Sequence, residues 1–64
     1  MIKIEKQLNA GEYTVLCLNQ PVPVGLKKKI VIDDKEYETE IVYDLPNSIG
    51  IKGHGTFVGK KILI

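Results

Sequence analysis

From Glu36 to Tyr43 the chain alternates with a period of two: Tyr37, Thr39, Ile41 and Tyr43 share one face, and Glu36, Glu38 and Glu40 share the other. Successive side chains of an extended chain point to opposite sides, so this period marks a half-buried strand. Met1 to Leu8 repeats it, with Ile2, Ile4 and Leu8 on one side and Lys3, Glu5 and Gln7 between them. No window joins a helical spacing of apolar residues to a cap. A chain with this pattern and turn signals about every ten residues folds as an all-β domain.

The turn residues divide the rest. Asn9-Ala10-Gly11 ends the first strand, and Glu12 to Leu18 forms the second. Apolar residues on both faces from Val15 to Leu18 predict a strand covered on both sides or lying at a barrel corner. Pro21 and Pro23 have no amide to donate, so residues 19–25 read as an extended crossover or a kinked edge. Lys28 to Asp33 and Glu36 to Tyr43 read as a hairpin about Asp34-Lys35. That register sets Ile32 opposite Tyr37, Ile30 opposite Thr39 and Lys29 opposite Glu40, at the cost of Asp33 facing Glu36.

Leu45-Pro46-Asn47-Ser48 is a turn. Beyond it, a hairpin on Gly53-His54 would pair Ile51 with Thr56, Gly50 with Phe57 and Ile49 with Val58. Gly59 marks a bulge or bend before a last strand from Lys60 to Ile64. The segment Ile51-Lys52-Gly53-His54-Gly55-Thr56 is similar to the I-x-G-x-G-T hairpin in the second β-barrel domain of translational GTPases, with His54 where that family usually carries Arg. The likeness covers six residues of 64, so it implies a barrel hairpin and assigns no family.

Sixty-four residues hold one small domain, 1–64, and Met1 favours a whole chain. An open sheet of this size leaves its edges bare, so the expected fold is a small antiparallel barrel, SH3-like or OB-like, of about five to six short strands. A compact β-roll or sandwich is the alternative. Cys17 is the only cysteine, which rules out an internal disulfide and points to a reducing cytoplasm. Met1 to Lys6 has no secretory pattern, and no apolar run approaches the about 20 residues that a spanning helix needs, so no membrane association is expected.

Catalytic chemistry finds little support. A nucleotide-binding loop ending at Gly59-Lys60 would need glycine at His54 and a hydroxyl at Lys61. A dinucleotide loop starting at Gly53 would need glycine at Val58. Cys17 lies in an apolar run suited to an inert thiol, and His54, the only histidine, has no second metal ligand near it in sequence. Asp33-Asp34 reads as a turn, and Glu36, Glu38 and Glu40 as a solvated face. No enzyme, metal or cofactor is expected.

Binding remains. Nine cations against eight acids leave a net charge of +1, too little for a global field toward nucleic acid. The lysines nevertheless cluster, at Lys27, Lys28 and Lys29 and at Lys60 and Lys61, while Ile62, Leu63 and Ile64 form an uncapped apolar end. Those eight residues are the candidate interaction surface. The last strand either pairs against Met1 to Leu8 or offers its edge to another protein or a second copy. The expected function is a small non-enzymatic module acting through protein contacts. The alternative is weak, sequence-tolerant binding of nucleic acid by the lysines with an exposed aromatic.

Overall fold

The computed structural model describes residues 2–22, 28–42 and 44–63. Six strands run antiparallel to their neighbours: β1 (Ile2–Ala10), β2 (Tyr13–Leu18), β3 (Lys29–Ile32), β4 (Lys35–Ile41), β5 (Ser48–Lys52) and β6 (Lys61–Ile62). Their order across the sheet is β3-β4-β5-β2-β1-β6. Among the described residues the outer strands meet through a single bridge between Val31 and Leu63, whose amides bond each other's carbonyls at 3.1 and 3.0 Å. The sheet thus curls into the small antiparallel barrel that the strand pattern predicts. β2 beside β5, with β3, β4 and β5 consecutive, makes a Greek key whose long connection contains Pro21.

Alternation fills the interior. Ile2 and Ile4, Leu16 and Leu18, Ile30 and Ile32, Ile49 and Ile51, and Ile62 are buried, with Tyr37 and Val22 packed against them. β-branched Ile suits this role, because its stiff side chain packs well on a pleated surface. β2 alternates strictly, with Thr14, Leu16 and Leu18 inward and Tyr13, Val15 and Cys17 half-buried on the outer wall. The apolar residues on both of its faces therefore reflect a central strand whose outer side is sheltered by β1 and β5. Thr14 is tolerated in the core because its hydroxyl donates to the Gly53 carbonyl at 2.7 Å.

Three expectations change in the folded chain. First, β1 carries a bulge at Glu5, where the register to β2 slips between Ile4 and Lys6. One extra residue reverses every later side chain. Gln7 turns inward, and Leu8, expected in the core, stands on the outer wall 56% exposed.

Second, the β3–β4 hairpin turns on Asp33-Asp34, so Ile30 faces Tyr37 and Lys29 faces Glu38. The two aspartates take φ of 53° and 65°, the left-handed pair of a type I′ turn. Aspartate tolerates this conformation better than most residues, and the shift removes the Asp33–Glu36 clash. Moving the register by two residues preserves the inward face, but β4 ends at Ile41, which is 72% exposed and not a core residue. Tyr43 lies outside the described residues, as do 23–27 and 64.

Third, residues 56–58 form no strand, and the expected hairpin on Gly53-His54 is absent. β5 is flanked by β2 and β4 and has no free edge for them to join. Residues 53–60 instead strap the end of the barrel where β1, β3 and β5 finish. Gln7 supplies the pairing a strand would have given. Its Oε1 accepts from the amides of Phe57 and Val58 at 2.6 and 3.2 Å, and its Nε2 donates to the Gly55 carbonyl at 2.7 Å. Phe57 plugs the barrel, edge-on to Tyr37 at 5.4 Å. Its ring lies over Gly55, not Gly50: a Cβ at Gly55 would come within 2.9 Å of it. Gly59, at φ +86°, bends the strap so that its amide reaches the Ile4 carbonyl at 2.8 Å and β6 can follow.

Candidate functional site

β6 pairs with β1 as expected, Ile2 opposite Ile62 and Lys3 opposite Lys61. Because Leu63, just past β6, bridges to β3, both lysine clusters border one seam, that between β3 and β6, toward its opposite ends: the antiparallel register sets Lys61 level with Asp33, about 13 Å along β3 from Lys29. Lys29 and Val31 face outward on β3, Lys61 outward on β6 and Leu63 outward just past its end, with Lys28 exposed at the foot of β3. Leu63 is 62% exposed. Ile62 leaves the candidate surface: its side chain points inward and belongs to the core. Lys27 and Ile64 lie outside the described residues.

The seam is the weakest closure of the barrel. Among the described residues, one bridge and the ion pair of Lys60 with Asp33 join its two sides. That ion pair ties the end of the strap to the β3–β4 turn. Both partners are well exposed, which limits its worth to a fraction of a kcal/mol, about 0.2–0.5. The charges on the two sides differ. Toward β4, Lys29 stands opposite Glu38 and Val31 opposite Glu36, so the base is offset by acid. A shallow open cleft of about 290 Å³ lies there, lined by Lys28, Lys29, Glu38, Thr39 and Glu40. Toward β1, Lys61 faces Lys3 with no acid opposite.

The residues weighed for catalysis are kept apart. His54 Nε2 donates to the Gly11 carbonyl at 2.7 Å, which holds the imidazole at the β1–β2 turn. Cys17 lies at the other end of β2, opposite Lys6 and Ser48, about 13 Å further along the strand at 3.3 Å per residue. Among the described residues no three His, Cys, Asp or Glu side chains cluster to hold a metal. Glu36, Glu38 and Glu40 form the exposed outer row of β4.

Lys3, Val31 and Asn19 belong to the surface and were not singled out in the sequence. Lys3 was legible once the last strand was set against the first. Val31 was hidden inside an apolar triplet, where only the seam distinguishes it from Ile30 and Ile32. Comparison with protein-family models, curated proteins and solved structures finds no match to this chain. Among the described residues no helix is long and apolar enough to cross a membrane.

Proposed function

We propose that the chain is a non-enzymatic binding module that contacts another protein through the β3–β6 seam. The observation that carries this is Leu63, a large apolar side chain left 62% exposed on a strand held to β3 by one bridge. An exposed apolar residue flanked along the seam by Lys29 on one side and Lys61 on the other has the anatomy of a contact patch, an apolar centre with a polar rim. Recognition by an extended segment laid along the seam fits this geometry better than plain edge addition, because β6 is engaged on both sides. The half-buried lone thiol suits a reducing compartment, and we place the module in the cytoplasm.

Nucleic acid is the weaker reading. Stacking needs an exposed aromatic beside the cations. Phe57 and Tyr37 are packed on each other inside the barrel, and Tyr13 stands on β2 away from the seam. The test is selection of binding peptides from a random display library, followed by amide-shift mapping of the selected peptides on the labelled protein. Shifts centred on Val31 and Leu63 support the reading. Shifts confined to another face, or oligo-dT binding at low salt when no peptide binds, overturn it. A second copy as the partner would show as the same shifts on raising the concentration of the protein alone.

A further inference from the structure

Beside the seam, three consecutive strand positions on the outer wall carry hydrogen-bond donors. Lys61 on β6 faces Lys3 on β1, and Lys3 is paired on its other side with Asn19, just past the end of β2. The Lys3 amide donates to Asn19 Oδ1 at 3.1 Å, and the Asn19 amide donates to the Lys3 carbonyl at 3.0 Å. The side-chain oxygen of Asn19 is thus occupied by the backbone. What it presents outward is its NH2 group, which only donates.

Among the described residues, neither the ammonium of Lys3 nor that of Lys61 has an ion-pair partner. Like charges directly opposite on a sheet repel. Of the lysines with a strand partner, Lys29 stands opposite Glu38, Lys6 opposite Cys17, Lys35 opposite Ile32 and Lys52 opposite Tyr13; among the described residues only Lys3 and Lys61 stand opposite another lysine. Glu5, the nearest acid along β1, is the bulge residue and makes no ion pair with either lysine. The result is a strip of donors without an acceptor, two interstrand spacings or about 10 Å long. Leu63 lies two residues from Lys61 on the same outward face. A ligand that covers Leu63 therefore reaches the strip within about 7 Å, the two-residue repeat of an extended chain.

We infer that Lys61, Lys3 and Asn19 form a carboxylate-recognition strip, and that the segment bound at the seam is an extended acidic peptide with an apolar residue among its carboxylates. This rests on the seam being the binding surface. Carboxylates supply the missing acceptors through charge-assisted hydrogen bonds and remove the lysine repulsion. The repulsion is retained in the free protein because binding relieves it.

The probes are an end-blocked octapeptide of alternating Leu and Glu, its Leu-Gln counterpart, and an oligo-dT of equal charge, titrated into the labelled 64-residue chain. The Leu-Glu peptide is expected to shift the amides of Lys3, Asn19, Lys61 and Leu63 together, and to bind at least about tenfold tighter than the Leu-Gln peptide. Lys61→Glu should weaken it at least about tenfold while raising the melting temperature, since it converts the repulsive pair into an attractive one. That rise separates lost recognition from lost folding. Lys52→Gln, on the far end of β5, should change neither. Equal binding of the Leu-Gln peptide at Val31 and Leu63 overturns the strip and leaves the seam standing. Shifts at the strip without shifts at Val31 and Leu63 support the strip and overturn the seam. Tighter binding of oligo-dT makes the strip a phosphate site and overturns the carboxylate assignment. No binding of any probe overturns both.

Discussion

The centre of the barrel and its seam are built from the same kinds of residue in opposite ways. β5 is enclosed by β2 along Ser48 to Lys52 and by β4 from Ile49 to Ile51, and its Ile49 and Ile51 are fully packed. β6 is two residues long, meets β1 at Ile2 and Lys3, and among the described residues the ladder bonds to β3 come only from Leu63, just past its end. Pairing on both edges satisfies every backbone group of a strand and leaves nothing to offer a partner. Pairing through one bridge closes the barrel while keeping apolar and cationic side chains outside. On the proposed reading, stability and recognition fall to different strands of one small sheet.

Four substitutions test that division, beginning with the most disruptive. Ile51→Ala removes a wholly buried side chain from the doubly paired strand and should cost about 2–5 kcal/mol, enough to unfold much of a domain this small. Urea denaturation measures it; a loss below about 1 kcal/mol would mean that β5 is not the anchor. Gln7→Ala withdraws the bonds to Phe57, Val58 and Gly55 and leaves the part-buried Phe57 amide without its acceptor, for about 1–3 kcal/mol. The amides of Phe57 and Val58 should lose their exchange protection in that variant ahead of the rest of the chain.

The third change stabilises. Asp34→Gly relieves a side chain held at φ 65° in the two-residue turn and should add about 0.5–1 kcal/mol, read as a higher melting temperature. A fall would show that the aspartate side chain contributes more to the turn than its backbone costs. The smallest effect belongs to Lys60→Gln, which breaks the exposed ion pair to Asp33 and should alter global stability by no more than about 0.5 kcal/mol. Its signature is local: faster exchange at Val31 and Leu63 with β5 unchanged.

Period two made the strands and most of the core legible in the sequence, because inward positions survive any register shift of two residues. Ile30 and Ile32 were therefore placed correctly although their partners on β4 were not. What the period does not encode is a single inserted residue. The Glu5 bulge sent Leu8 outward and Gln7 inward, and nothing in Lys-Glu-Lys patterning distinguishes a bulge from regular strand. The strap was missed for a related reason. Gly53, Gly55 and Gly59 are compatible with a hairpin, and only the occupation of both edges of β5 excludes one. The seam was half legible: the lysine clusters and the apolar end stood out, but their meeting depends on β3 and β6 being sheet ends, a property of topology and not of either segment.

Native-state hydrogen exchange tests the division most directly. The amides of Val31 and Leu63 bond only across the seam, whereas those of β5 lie between two neighbours. Opening of the seam without unfolding should let Val31 and Leu63 exchange at a free energy about 2 kcal/mol or more below that of β5. Equal protection at the seam and in β5, lost together only on global unfolding, would contradict a barrel with a separable closure.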